Sequence, residues 1–445
     1  MAYYGFGTTS DVLTSGGTPN LPTFQAGGGG AYYSVTPYIV GQVGDTHAQY
    51  TGATAIGDAI TQAVADGLSN SNPLNIYLKP GTYSGETFVL PVGIRLVGLG
   101  QGMVGAEGGA FANNEVVVKI DSATITMSGS SGGVAISNVS LTSSSVTTSG
   151  DNTLVFDSCY ISSSIANSGS DILIFGNCVL TSGSFTSGAN GFFMYLTSCN
   201  LASYGLNFNH NATFTMLGSS TDGSLTLGGT TRSVTANYTN CLLTSGAFID
   251  NSGATTPNST CNVQSCVSVS PTYCFNVIQN ATINCRDLTV RSGTFFINEG
   301  SGSNSYNIFS SNIDCTNLIN GVNSSVFVFK DSRATSTSTG ITLGTNASVY
   351  FENCDNDLLA TPTLGSGSKI IYQHAITNES SAANPSTVIN SLELSTTATD
   401  GFLHVPSCNG APMGTPTLYG SAIPMVYDTS GSVLYVYTGG SWTAV

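Results

Sequence analysis

The chain has 445 residues, and only 7% of them are charged, giving a net charge of −15 with nine Lys and Arg. A sequence-blind grip on nucleic acid or anionic lipid needs a basic face, and so few cations cannot build one. Gly, Ser, Thr and Asn abound, yet 40% of residues are apolar and recur in short, evenly spaced runs, which speaks against disorder.

No stretch reaches the roughly 18 apolar residues of a membrane span. The start, Met1 to Phe6, has neither a basic region nor an apolar core, so no classical secretory signal is expected. Residues 1–45 are irregular and include the run Gly27 to Gly30, and they are read as an arm or attachment segment. Residues 54–67 read as a helix. Ile56, Ile60, Ala63 and Val64 fall on one stripe, and Gly67 suits the C-terminal cap. Short strands follow at 75–78, 88–90 and 94–98, the first stopped by Pro80-Gly81.

This order of elements, with Ile60 to Gly67 on the helix, then Pro80-Gly81-Thr82-Tyr83, then Ile94 to Gly98, resembles the entry region of the pectin-lyase-like superfamily. The resemblance covers residues 54–102 and implies a right-handed parallel β-helix.

The middle of the chain repeats. Four-residue segments beginning at Ile136, Phe156, Phe175, Leu196, Leu217, Tyr238, Val263, Thr282, Phe309, Phe329 and Phe351 align at a spacing of about 21 residues. In this alignment the first column is apolar except at Thr282, the second varies freely, the third is Asn, Ser or Asp, and the fourth is mostly Cys. Coils stacked about 4.8 Å apart bring like positions together. The first column then forms a buried line, the second faces solvent and the third turns a corner, where Asn tolerates a left-handed backbone and can bond the next amide. The fourth returns inward, with Cys acting as a small buried hydrophobe. The fold class is therefore all-β, a solenoid over residues 46–374 with the helix at 54–67 as its front cap. The eleven Cys, an odd count without a C-x-x-C pair, are expected to be free thiols.

After Cys354 the period fades, and residues 375–445 read as a separate β-rich tip module. From Met425 to Trp442 the pattern is strand, turn, strand, turn, with Leu434 and Val436 alternating with Tyr435 and Tyr437. This stretch is similar to the C-terminal tips of phage and large-virus fibre proteins. That resemblance implies a homotrimeric fibre or tailspike-type subunit of a virion surface, joined to other virion proteins through its N-terminal arm and binding host surface polysaccharide.

Catalytic signals are weak. Glycoside hydrolysis needs two carboxylates at a defined gap. The motifs of polygalacturonase-type hydrolases and pectate lyases are missing, and the one Trp, Trp442, lies outside the helix. Asp287, Asp314, Asp331, Glu352, Asp355 and Asp357 are candidates by residue type alone. His47, His210, His374 and His404 show no metal spacing. Gly98-Leu99-Gly100-Gln101-Gly102 lacks the glycine spacing of a phosphate loop and reads as a turn. No catalytic, cofactor-binding or metal-binding residue is assigned, and no cofactor is implied. A polysaccharide lyase or hydrolase, and a cell-surface filament protein, are the alternatives to the fibre reading.

Overall fold

The computed structural model describes residues 38–100, 117–373, 407–416 and 423–445, short interruptions aside, and the strands Asp11–Thr14, Thr23–Ala26, Ile376–Thr377 and Val388–Ser391. The chain divides into two compact units, Met1–Ile371 with Ala375–Ile389, and Tyr372–His374 with Asn390–Val445.

The first unit is a parallel β-solenoid of about 13 turns at roughly 21 residues per turn. Each coil contributes one strand to a first sheet and, after a corner, strands to a second sheet. Phe156 pairs with Phe175, and Phe175 with Leu196, in register along the first sheet. The rings of Phe156 and Phe175 stack at 5.0 Å, as do those of Phe329 and Phe351. Strand Tyr38–Gly41, in the segment expected to be an arm, pairs in parallel with Leu74–Leu78. No described helix is long and apolar enough to cross a membrane.

The register corrects the sequence alignment in three coils. The first-column partners of Leu196, Val263 and Cys285 are Met216, Cys285 and Ile308. Leu217, Thr282 and Phe309 therefore face outward, and Leu217 is 43% exposed. Leu217 and Phe309 are each a large apolar residue one step past the buried position, so hydropathy alone does not separate them from Met216 and Ile308. In coil 282–285 the cysteine was aligned to the fourth column, whereas Cys285 fills the first and Leu288 the fourth.

With this register the corner column is Asn138, Ser158, Asn177, Ser198, Gly218, Asn240, Ser265, Asp287, Ser310, Asp331 and Asn353. All have φ between 48° and 55°. A left-handed residue costs roughly 1–2 kcal/mol unless it is Gly, or Asn or Asp with local bonding. The ladder offsets that cost, because corner N–H groups still bond the next coil. Asn177 N donates to Thr197 O at 3.0 Å, and Ser265 N to Arg286 O at 2.9 Å.

The fourth column corrects a second expectation. Its cysteines are buried, but they act as hydrogen-bonding groups. Cys199 Sγ donates to Phe175 O and Thr197 O, both at 3.4 Å, and Cys199 N donates to Ser219 Oγ at 2.8 Å. Cys159, Cys178, Cys241 and Cys354 repeat the pattern of two carbonyls. Ser219, Ser311 and Ser332 stand in the same column because a hydroxyl can do the same work. All described cysteines are free thiols.

Helix α1 spans Ala55–Ala65 and buries Ile56, Ala59, Ile60 and Ala63 against the first strands. Val64, expected on that stripe, is 51% exposed. Gly67 has φ 90°, its N–H reaches Val64 O, and Leu68 N–H reaches Ala63 O, which closes the helix C-terminus. At the other end a side chain from a different coil supplies the cap. Glu86, 4% exposed, accepts Ile56 N–H at 2.9 Å, and its second oxygen has no hydrogen-bond partner.

In the second unit, Ser407–Cys408, Met425–Asp428, Val433–Thr438 and Ser441–Ala444 form one sheet in that order. The hairpin expected at 425–442 is present, but Val433 to Val436 are all half-buried and only Tyr437 of that strand is buried. Asp428 accepts N–H groups from Gly410, Ser430 and Gly431 and the Ser430 hydroxyl, which hold its carboxyl down at about 2.

Two outcomes follow. Cys199→Ser should shift the urea midpoint little, while Cys199→Val should lose about 1–3 kcal/mol because the hydrogen bond that the thiol shares between Phe175 O and Thr197 O is lost; a better-tolerated Val would show that the column selects apolar volume instead. Burial pushes the Glu86 carboxyl up to about 7 against backbone bonds that pull it down. A raised folded-state value means the folded chain holds the proton more tightly. The stabilisation is then complete below the ordinary carboxylate range and lost as pH rises towards 7. After correction for the intrinsic pH dependence of exchange, the protection of the α1 amides should fall over that window in the wild type and stay flat in Glu86→Gln.

Candidate functional site

The outer face of the first sheet carries a file of amides. Asn262 Nδ2 donates to Asn237 Oδ1, Asn284 Nδ2 to Asn262 Oδ1, and Asn307 Nδ2 to Asn284 Oδ1, each at 2.9 Å. These residues share one register position. Each immediately precedes a first-column residue: Tyr238, Val263, Cys285 and Ile308. A second file runs along the second sheet, where Asn276 donates to Asp250 Oδ1, Asn298 to Asn276 and Asn320 to Asn298, at 2.8–3.0 Å. An amide has two N–H groups and a carbonyl with two acceptor sites, so a head-to-tail file leaves capacity facing outward.

Two grooves follow these features. One, of about 510 Å³, runs over Asn237, Asn262 and Asn284 and is edged by Gln264, Arg286 and Phe309. Thr239, Gln264, Arg286 and Phe309 stand in a second register position beside the amides. The other groove, of about 810 Å³, follows the corner past Asn177, Ser198, Asn240 and Ser265 to Arg291. Cys178, Cys199 and Cys241 lie in its floor. The bond between neighbouring thiols, and then burial, push Cys199 up and away from thiolate chemistry.

The carboxylates singled out by residue type do not converge. Asp287 and Asp331 sit at corner positions with positive φ, and Asp331 accepts Asn353 Nδ2 at 3.2 Å. Glu352 pairs with Lys330 at 2.7 Å, and Asp355 lies 3.7 Å from Arg333. Asp314 and Asp357 share one register position but are two coils apart, with Thr335 between them. His47 is exposed, and its Nδ1 lies 3.9 Å from Asp45. His210 Nδ1 lies 3.3 Å from Ser187 O. His374, His404, Gln101 and Gly102 lie outside the described residues. Gly98 ends a strand and Gly100 is in a bend, as a turn requires. Among the described residues no group of three or more His, Cys, Asp or Glu is placed to hold a metal ion.

The parallel register from Leu74 to Gln373 decides the architecture. The chain is a parallel β-helix protein. No protein-family model and no curated protein matches its sequence. Among solved structures it is similar to tailspike protein 3 of bacteriophage CBA120, at 12% identity and a TM-score of 0.36, over 88% of this chain and 67% of that one. It is also similar to the tailspike protein of Acinetobacter phage vB_ApiP_P1, at 11% identity and a TM-score of 0.27, over 91% and 78%. A third similar structure is the A-module of the mannuronan C-5 epimerase AlgE6 of Azotobacter vinelandii, at 13% identity and a TM-score of 0.25, over 73% and 94%. At these identities no site residue carries over.

The amide file of this β-helix was missed in the sequence, where Asn was assigned to corners. The signal was present: Asn at coil spacing, each time one residue before a core position. Asn262→Asp removes the donor to Asn237 and sets two acceptors face to face. It should lower the unfolding free energy by about 1–3 kcal/mol at pH 7, with part of the loss restored at acid pH when the carboxyl can donate. An unchanged midpoint would show that water replaces the file at no cost.

Proposed function

We propose that this protein is a structural fibre or spike subunit of a virion that binds surface glycans along the outside of its solenoid, and that it works as a homotrimer. The observation that carries the reading is the outward amide file of Asn237, Asn262, Asn284 and Asn307, the first three of which line a groove. Sugars present dense hydroxyls that both donate and accept. Fixed amides with spare donors and acceptors match that chemistry, and they are already ordered before a ligand arrives.

The shaft suits such a role physically. Ladder bonds tie each coil to the next around the corner, and the net charge of −15 keeps separate particles apart. On the first sheet Glu352 pairs with Lys330, and at its corner Asp331 accepts Asn353 Nδ2, while the amide file keeps donors and acceptors to spare.

Electron microscopy of the native assembly should place the chain on a virion surface, and light scattering should give three times the 45.6 kDa chain mass. The intact protein should retain a subset of a surface-glycan array without releasing reducing ends or unsaturated products. A strict monomer, or glycan cleavage lost on changing one carboxylate, would overturn the proposal.

A further inference from the structure

Cations are scarce here, and most described ones are committed. Lys79, Lys119 and Lys330 each lie 2.7–3.1 Å from a carboxylate, and Arg333 lies 3.7 Å from Asp355. Lys369 sits over the Tyr350 ring at 5.9 Å. Arg95, Arg286 and Arg291 are exposed, with no described carboxylate within 4.0 Å of the guanidinium, and of the three Arg286 edges the groove that holds the amide file. Its register neighbours are Gln264 on one side and Phe309 on the other.

From these positions the geometry points to a subsite for a carboxylated sugar, with Arg286 taking the carboxylate. The guanidinium is a planar fork of donors that matches a carboxylate in two parallel bonds. Coils spaced about 4.8 Å apart set Gln264, Arg286 and Phe309 in a row beside Asn262 and Asn284. A saccharide lying along the axis would place its acid group on Arg286, its hydroxyls on the two amides and Gln264, and an apolar ring face against the half-buried Phe309. A single cation among neutral amides suits an isolated acid group on a hydroxylated ring. It does not suit a densely charged polyanion, which the net charge of −15 would repel. This inference rests on the glycan-binding reading and narrows it to a chemical class and a location.

The test is calorimetric titration of the full-length protein with tetrasaccharides that carry a single hexuronate or a single sialic acid among neutral sugars, their carboxyl-reduced counterparts, and a sulfated tetrasaccharide. At least one carboxylated probe should bind, and its reduced form should bind about tenfold more weakly or worse. Arg286→Gln should abolish that difference, Arg286→Lys should keep part of it, and Arg291→Gln in the corner groove should keep all of it. Circular-dichroism melts of each variant establish that the fold is intact. Equal binding of acidic and reduced probes, preference for the sulfated probe, or loss with Arg291→Gln in place of Arg286→Gln would overturn the subsite while leaving glycan binding standing. No saccharide bound by the wild type, here or on the array, would overturn both.

Discussion

Parallel backbone hydrogen bonding between coils is the constraint from which the rest of the solenoid follows. It fixes the axial repeat, so any residue type that recurs at the coil period becomes a continuous file. Inside, the files are rings such as Phe156 on Phe175. Outside, they are amides such as Asn262 on Asn237. The chain must also turn without breaking the ladder. A left-handed residue at each corner meets that need, because the backbone changes direction while its N–H still reaches the coil above.

Corner chemistry explains the composition. At the bend the carbonyl groups that accept corner N–H groups still have a second acceptor site, in a space too tight for a long side chain. A thiol or hydroxyl one residue past the corner fills it, as Cys199 and Ser332 do, by donating to a carbonyl of its own coil and one of the coil before. The abundance of Ser and Cys in a chain poor in charge thus has a structural cause.

The same regularity produces a grooved outer surface. On a globular domain a groove needs loops to shape it. Here it arises because neighbouring outward positions on each strand carry different files, one of amides and one running Thr239, Gln264, Arg286, Phe309. Changing one residue per coil changes the chemistry along the axis and leaves the backbone alone.

Much of this was legible in the sequence. The coil period, the apolar column, the turn column and the short helix before the first coils all rest on local pattern, because burial in a solenoid depends on position within one coil. Phe156, Phe175, Phe329 and Phe351 needed no tertiary information. The structure decided which member of an apolar pair goes inside. Met216 and Leu217, or Ile308 and Phe309, are equivalent by hydropathy, and only pairing with the adjacent coil selects one. It also decided the partner of every polar side chain. Glu86 caps α1 from a different coil, the cysteines bond carbonyls, and Asn262 bonds across coils. Hydrogen bonds depend on direction and on distances of a few tenths of an ångström, and a pattern of residue types along a chain does not contain them.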